Sequence, residues 1–415
     1  MAAFTTRPEI TGTFGVVTST HWLASAVGFG LLEKGGNAFD AAVAMGLVLQ
    51  VVEPHLNGPG GEVPALIYSA RDDAVSVLCG QGTAPQGATI AHYRNEGLDL
   101  IPGSGLLATV IPGAFDAWML MLRDHGTMSL REVLEPAIYY ARHGHPVLER
   151  VSQAIEGLAD LFRTEWTSSA ETWMPGGNVP VAGALFRNPV LADTWDKVLT
   201  EAETASGREA QVEKARETFY RGFVAERIGA YLESACVMDG TGERRKGVLS
   251  ADDMAGWQAN WDAPLRSDYG DWTVCKTGPW GQGPVLLQSL KILEHSGISD
   301  MPPLGADFVH TTVEAMKLAY ADRDAYYGDP DFFDVPMQQL LSEDYARVRA
   351  GLISENASLE QRPGRIAGLE HLAEAAEAQA GAEIAVLVGA DAGEPTMAHL
   401  ANRKGDTVHL DVIDR

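Results

Sequence analysis

The stretch from Gly35 to Gly61 constrains the fold more than any other part of the chain. Gly35-Gly36 closes a first helix predicted over 21–34, because a glycine can take the left-handed conformation at a helix end. Asn37 then stands where its side chain can cap a second helix, from about Ala38 to Val52. That helix carries Ala41, Ala42, Ala44 and Gly46, small enough to let it approach a sheet closely. It stops at Glu53-Pro54, since the residue before a proline disfavours helical backbone. The breakers Asn57-Gly58-Pro59-Gly60-Gly61 must form a loop, and an apolar strand resumes over 63–68.

Around this core the chain reads as mixed α/β. Short strands are predicted over 14–18 and 75–79, the latter as hairpin partner of 63–68. Helices are predicted over 112–123, 130–142, 151–162, 219–233, 285–294 and 307–326, the last with Asp307 as its N-cap. Leu369 to Ala380 is rich in alanine and glutamate, and the small, acidic stretch from Gly389 to Pro395 is expected to be mobile. From 408 to 413 the pattern turns to period two: Val408, Leu410 and Val412 share one face, and Thr407, His409 and Asp411 the other. No internal repeat is evident.

Composition narrows the function. The 415 residues are 46% hydrophobic and carry a formal net charge of -25. A core is therefore affordable, while nucleic acid and anionic lipid would be repelled, which points away from nucleic-acid and membrane partners. No signal-like opening and no membrane-spanning run is present, so a soluble, cytoplasmic protein is expected. Cys79, Cys236 and Cys275 lack CxxC spacing and read as buried structural thiols rather than disulfides or zinc ligands.

Common catalytic signatures are missing: there is no GxxxxGK[ST] loop, HExxH or GxSxG. Gly278 to Gly283 contains Pro279 and no following lysine, and reads as an ordinary loop. His310 and Glu314 are four apart on a helix, but such pairs usually make a surface contact. Neither a metal nor a cofactor is assigned.

Five blocks together resemble the γ-glutamyltransferase (γ-glutamyltranspeptidase) family. Gly35 to Ala44, Val52 to His55 and Gly58 to Gly61 are similar to its GGNAxDAAVA…PHxxGxGGG block, with Glu62 in place of the last glycine. Pro112-Gly113, Gly126-Thr127-Met128 and Tyr140 to Gly144 form the second block. Phe219-Tyr220-Arg221-Gly222 is similar to FYxG, and Tyr320 to Arg323 with Gly328 to Phe332 to YADRxxxxGDPDF. Asp406 to Asp414 resembles the TTHxSVVD run that opens the family's small subunit. Their order and spread over nearly the whole chain carry the resemblance.

The resemblance implies an αββα N-terminal-nucleophile hydrolase fold, truncated, with helical insertions over roughly 110–365. Residues 1–406 would be the large-subunit-like region of a single interwoven domain, and 407–415 the start of the small-subunit-like region. It also implies autoproteolysis between Asp406 and Thr407. Thr407, activated by its own liberated amine, would attack glutathione-like γ-glutamyl amides, with water, an amino acid or a peptide as acceptor.

The chain departs from the family's pattern in several places. Gln81, in Cys79 to Pro85, occupies the position of the family's substrate-binding arginine in DFREMAP. The bidentate cation for a donor carboxylate is then missing, and an acylase of the glutaryl or cephalosporin type becomes the alternative. Val408 replaces a threonine and Asp411 a serine. The sequence extends eight residues past Thr407, whereas the family's small subunit supplies further sheet and substrate contacts. This polypeptide alone, without the missing small-subunit region, is expected to be uncleaved and inactive. A non-catalytic remnant is the reading from a different class.

Overall fold

A computed structural model describes residues 10–388 and 407–415. The predicted mobile stretch from Gly389 to Pro395, and Asp406, lie outside the described residues. In chain order the principal elements are β1 (Gly15–Ser19), α1 (Trp22–Glu33), α2 (Ala38–Val52), β2 (Val63–Ser69) and β3 (Ala74–Gly80). The helices α3 (Ala114–His125), α4 (Leu130–His143), α5 (Pro189–Ala202), α6 (Arg208–Tyr220) and α7 (Phe223–Ser234) come next. They are followed by β4 (Asn260–Asp262), β5 (Leu265–Tyr269), β6 (Trp272–Lys276), α8 (Gly283–Glu294), α9 (Ala306–Tyr326), α10 (Glu343–Ala350) and finally β7 (Leu410–Asp414). Among the described residues, one compact unit takes 10–63, 80–260 and 407–415, and the other 64–79 and 261–388.

The first unit is organised on α2. Asn37 and Asp40 form a reciprocal capping box, which satisfies backbone donors that a helix start leaves orphaned. Asp40 is fully buried and accepts from the Asn37 amide (2.9 Å), the Thr127 amide (2.9 Å), the Thr127 hydroxyl (2.7 Å) and the Met128 amide (3.1 Å). One carboxylate thus ties the first sequence block to Gly126-Thr127-Met128. Gly35 has φ +92°, the conformation expected at the end of α1. From Val43 to Val52 every residue of α2 is buried, so this helix is walled on all sides.

Gly46, read from the sequence as a small residue for approach to a sheet, faces a helix instead. A Cβ there would lie 2.3 Å from the Trp118 ring, so the small residue lets α2 approach another helix, α3. The strand β7 pairs antiparallel with β1, with Val17 opposite Val412, and also packs on α2.

Farther along the first unit, Phe219 stacks on Phe115 with ring centroids 4.6 Å apart. The Tyr220 hydroxyl donates to the Pro112 carbonyl (2.6 Å) and accepts from the Asp116 amide (3.2 Å). Blocks far apart in sequence therefore fasten one another.

In the second unit β3 lies between β2 and β4, and β5 and β6 form an antiparallel hairpin. Helices α8 and α9 pack together. Tyr326, Val335, Met337, Leu340, Tyr345 and Ile366 build an apolar core, with Asp322 of the YADR block fully buried beside it.

Three expectations are corrected. The helix predicted over 219–233 is two helices, because the chain breaks at Arg221-Gly222, where Gly222 is extended (φ -110°, ψ -151°). The N-cap of α9 is Gly305, and Asp307 sits inside the first turn, where its charge favours the helix dipole. The cysteines are not buried: Cys236 is exposed, Cys79 and Cys275 half-buried. No helix among the described residues is long and apolar enough to cross a membrane.

Candidate active site around the Thr407 strand

Thr407 is exposed and lies three residues before β7 begins. The alternation read from the sequence holds through this segment: Val408, Leu410 and Val412 are half-buried, while Thr407, His409 and Asp411 face solvent. The His409 ring Nε2 lies 3.0 Å from an Asp411 carboxylate oxygen, a pairing of alternate residues on one strand face.

The strand is held at both ends. At its far end an Asp414 oxygen accepts from the Ala38 amide at the start of α2 (2.7 Å), a favourable place for a negative charge. Arg415 donates to the Thr13 carbonyl (2.7 and 3.1 Å). At the near end the Thr20 amide donates to the His409 carbonyl (3.2 Å), extending the β1–β7 ladder by one bond towards Thr407. The Thr20 hydroxyl in turn donates to the Glu53 carboxylate.

Glu53 is the C-cap of α2 and only 4% exposed. Burial pushes its carboxyl pKa up, against the downward pull of the Thr20 hydroxyl and the Arg150 charge. In the sequence Glu53 marked a helix end and lay within the Val52 to His55 block with no role assigned to it, and Thr20 carried no signal. A clue was available: a carboxylate that ends a run as apolar as 41–52, where Gln50 is the one polar side chain, has to find a partner.

His21 follows Thr20 and is fully buried. Its Nδ1 accepts from the Leu23 amide (3.1 Å), so the side chain caps α1. Burial, and then the nearby charge of His145, lower its pKa to about 4. The ring is thus neutral at pH 7, with its proton on Nε2.

Gln81 lies on a separate loop that follows β3. It is half-buried and flanked by close-packed backbone: a Cβ on Gly82 would fall 1.6 Å from the Ile111 carbonyl oxygen, and one on Gly113 would fall 2.1 Å from that of Gly80. The Ile111 amide donates to the Thr83 carbonyl (3.0 Å). From the Asn57–Gly61 loop, the Gly61 carbonyl receives the Gly113 and Ala114 amides (3.0 and 2.9 Å) at the start of α3. The backbone carrying Gln81 is therefore fixed. Residues 79–93 contain neither lysine nor arginine, so no cation adjacent in sequence takes the arginine's place.

The other candidates belong to the scaffold. His310 Nε2 lies 2.7 Å from the Ser354 carbonyl, and Glu314 is engaged by Lys317, Arg362 and the Ser358 amide. Gly278 to Gly283 is a turn, closed by Gly281 donating to Gly278 (3.2 Å), that leads into α8.

Comparison with known proteins defines the class first. The chain is similar to the solved structure of LmbA2991HD (48% identity, TM-score 0.85, covering 99% of this chain and 67% of that one). It is also similar to a cephalosporin acylase from Bacillus halodurans (30% identity, TM-score 0.76, 88% of this chain and 64% of that one). The fold is the mixed α/β fold of N-terminal-nucleophile hydrolases.

Among curated proteins it resembles the glutathione hydrolase-like YwrD proenzyme of Bacillus subtilis (strain 168), 34% identical over 344 residues, 82% of this chain and 60% of that protein. The family model described as Gamma-glutamyltranspeptidase matches residues 24–415, and the chain belongs to that family. It spans about three-fifths of the length of the curated relatives it matches.

Proposed function

We propose that the protein of which this chain forms the large-subunit-like region, 1–406, and the start of the small-subunit-like region, 407–415, is a self-processing γ-glutamyl amide hydrolase or transferase. The observation that carries this reading is the placement of Thr407: exposed, at the head of a strand fastened at both ends, in a chain of this family.

In this reading the Thr407 hydroxyl attacks the carbonyl of Asp406. The peptide becomes an ester, and water hydrolyses it to leave Thr407 as a new N-terminus. The freed α-amine then takes the hydroxyl proton as Thr407 attacks a γ-glutamyl amide, and donors aimed at the tetrahedral oxyanion lower the barrier. The amine leaving group departs with a proton, and the acyl ester passes to water, an amino acid or a peptide.

Gln81 favours a second reading of the donor. An amide offers hydrogen bonds without a charge, so it suits a donor whose carboxylate is bound elsewhere or absent, as in an acylase. Release of aniline from γ-glutamyl and glutaryl anilides by the full-length protein separates the two. Faster γ-glutamyl release supports the first reading, faster glutaryl release the second, and turnover of either by Thr407→Ala contradicts both.

A further inference from the structure

We infer that Thr20 and Glu53 are positioning residues for Thr407, an inference that rests on the nucleophile reading above. Helix α2 meets the Thr407-bearing segment at both of its ends. Its first amide, Ala38, is bound by Asp414, and its C-cap, Glu53, is bound by Thr20, whose own amide holds the His409 carbonyl. Thr20 belongs to the turn between β1 and α1. The hydroxyl bond to a carboxylate that is 4% exposed ties that turn to the most deeply buried helix of the unit.

The link is short: from Glu53 through Thr20 to His409, and from there two residues back to Thr407. Attack on a carbonyl requires the hydroxyl oxygen within about 3–3.5 Å and correctly aimed, and a misplacement of about 1 Å costs on the order of a hundredfold in rate. Neither Thr20 nor Glu53 touches substrate in this scheme. They act by fixing the register and direction of the backbone that carries the nucleophile.

The test uses the full-length protein with Thr20→Val, Thr20→Ser and Glu53→Met, read by the rate of scission at the 406–407 bond, by kcat and KM after processing, and by melting temperature. Positioning predicts that Thr20→Val slows both scission and kcat about tenfold or more, with KM within about twofold of the parent. Thr20→Ser restores both, and melting of the two variants stays alike. Scission and kcat at the parent rate in Thr20→Val overturn the inference. Equal slowing in Thr20→Ser does so too. If Thr20→Val does not fold, Glu53→Met, which removes the acceptor, decides by the same readouts: a fall in kcat at unchanged KM supports positioning, and parent rates overturn it. Thr407→Ala keeps the two ideas apart. If it is still cleaved and active, the nucleophile reading has failed; if it is dead while Thr20→Val is unimpaired, only the positioning role has failed.

Discussion

Each unit contains an aspartate and an arginine buried against each other, Asp116 with Arg216 and Asp322 with Arg349, and these two pairs are built differently. In the first, Asp116 and Arg216 are 2% and 7% exposed and meet through two bonds (2.6 and 2.8 Å), while Asp116 also receives the Ala259 amide (2.7 Å). In the second, Arg349 reaches Asp322 through a single contact of 3.1 Å. Neutral donors, the Gly364 amide (2.7 Å) and the Gln288 side chain (3.1 Å), supply the rest. Burial raises the Asp322 carboxyl pKa despite Arg349. A bidentate charge-assisted pair is the stronger arrangement, whereas at Asp322 burial outweighs the single contact to Arg349 and the neutral donors, so that this carboxylate can take up a proton.

The largest effect should come from breaking the bidentate pair. Arg216→Met strands Asp116 in the core with one amide donor, and a loss of about 3–5 kcal/mol is expected from urea unfolding. Arg349→Met should cost less, about 1–3 kcal/mol, and the cost should shrink on acidification as Asp322 protonates. Equal losses for the two variants, or a pH-independent loss for Arg349→Met, would erase the distinction between the pairs.

Acid should act with opposite sign on His21 and on Asp322. His21 has a lowered pKa, so its contribution is present above the unfolded value of about 6.5 and is lost as pH falls towards about 4. The raised Asp322 carboxyl works the other way, because its buried charge is relieved as pH falls. Glu53, also raised, partly offsets His21 within the first unit. His21→Asn keeps a capping side chain and removes the titration. Its melting temperature should fall less than the parent's between pH 6.5 and 4, and parallel curves would refute the assignment. The smallest expected change is at the start of α2, where Asn37→Ala removes half of the capping box for about 1 kcal/mol, measurable as a shift in the urea midpoint at unchanged slope.

What the sequence disclosed was local. Helix α2 was legible from end to end because its cap, its small residues and its stop before Pro54 all lie within it, and the Thr407 strand announced itself by alternation. The break at Arg221-Gly222 was hidden because helical residues flank it on both sides. Thr407 and Gln81, the proposed nucleophile and donor contact, could be named because they occupy motif positions. The Thr20–Glu53 bond joins residues 33 apart, and no period or motif links them; only packing does. The reach of Asp414 to Ala38 is longer still, and shows why the first and last blocks belong together.

The central claim is that the 406–407 bond opens so that Thr407 can act through its own amine. Mass measurement and N-terminal sequencing of the purified full-length protein, beside Thr407→Ala, test it directly. The account predicts two fragments, the second beginning at Thr407, with amide turnover appearing as they form, and a single inactive chain for Thr407→Ala. An intact chain that turns over substrate would contradict it.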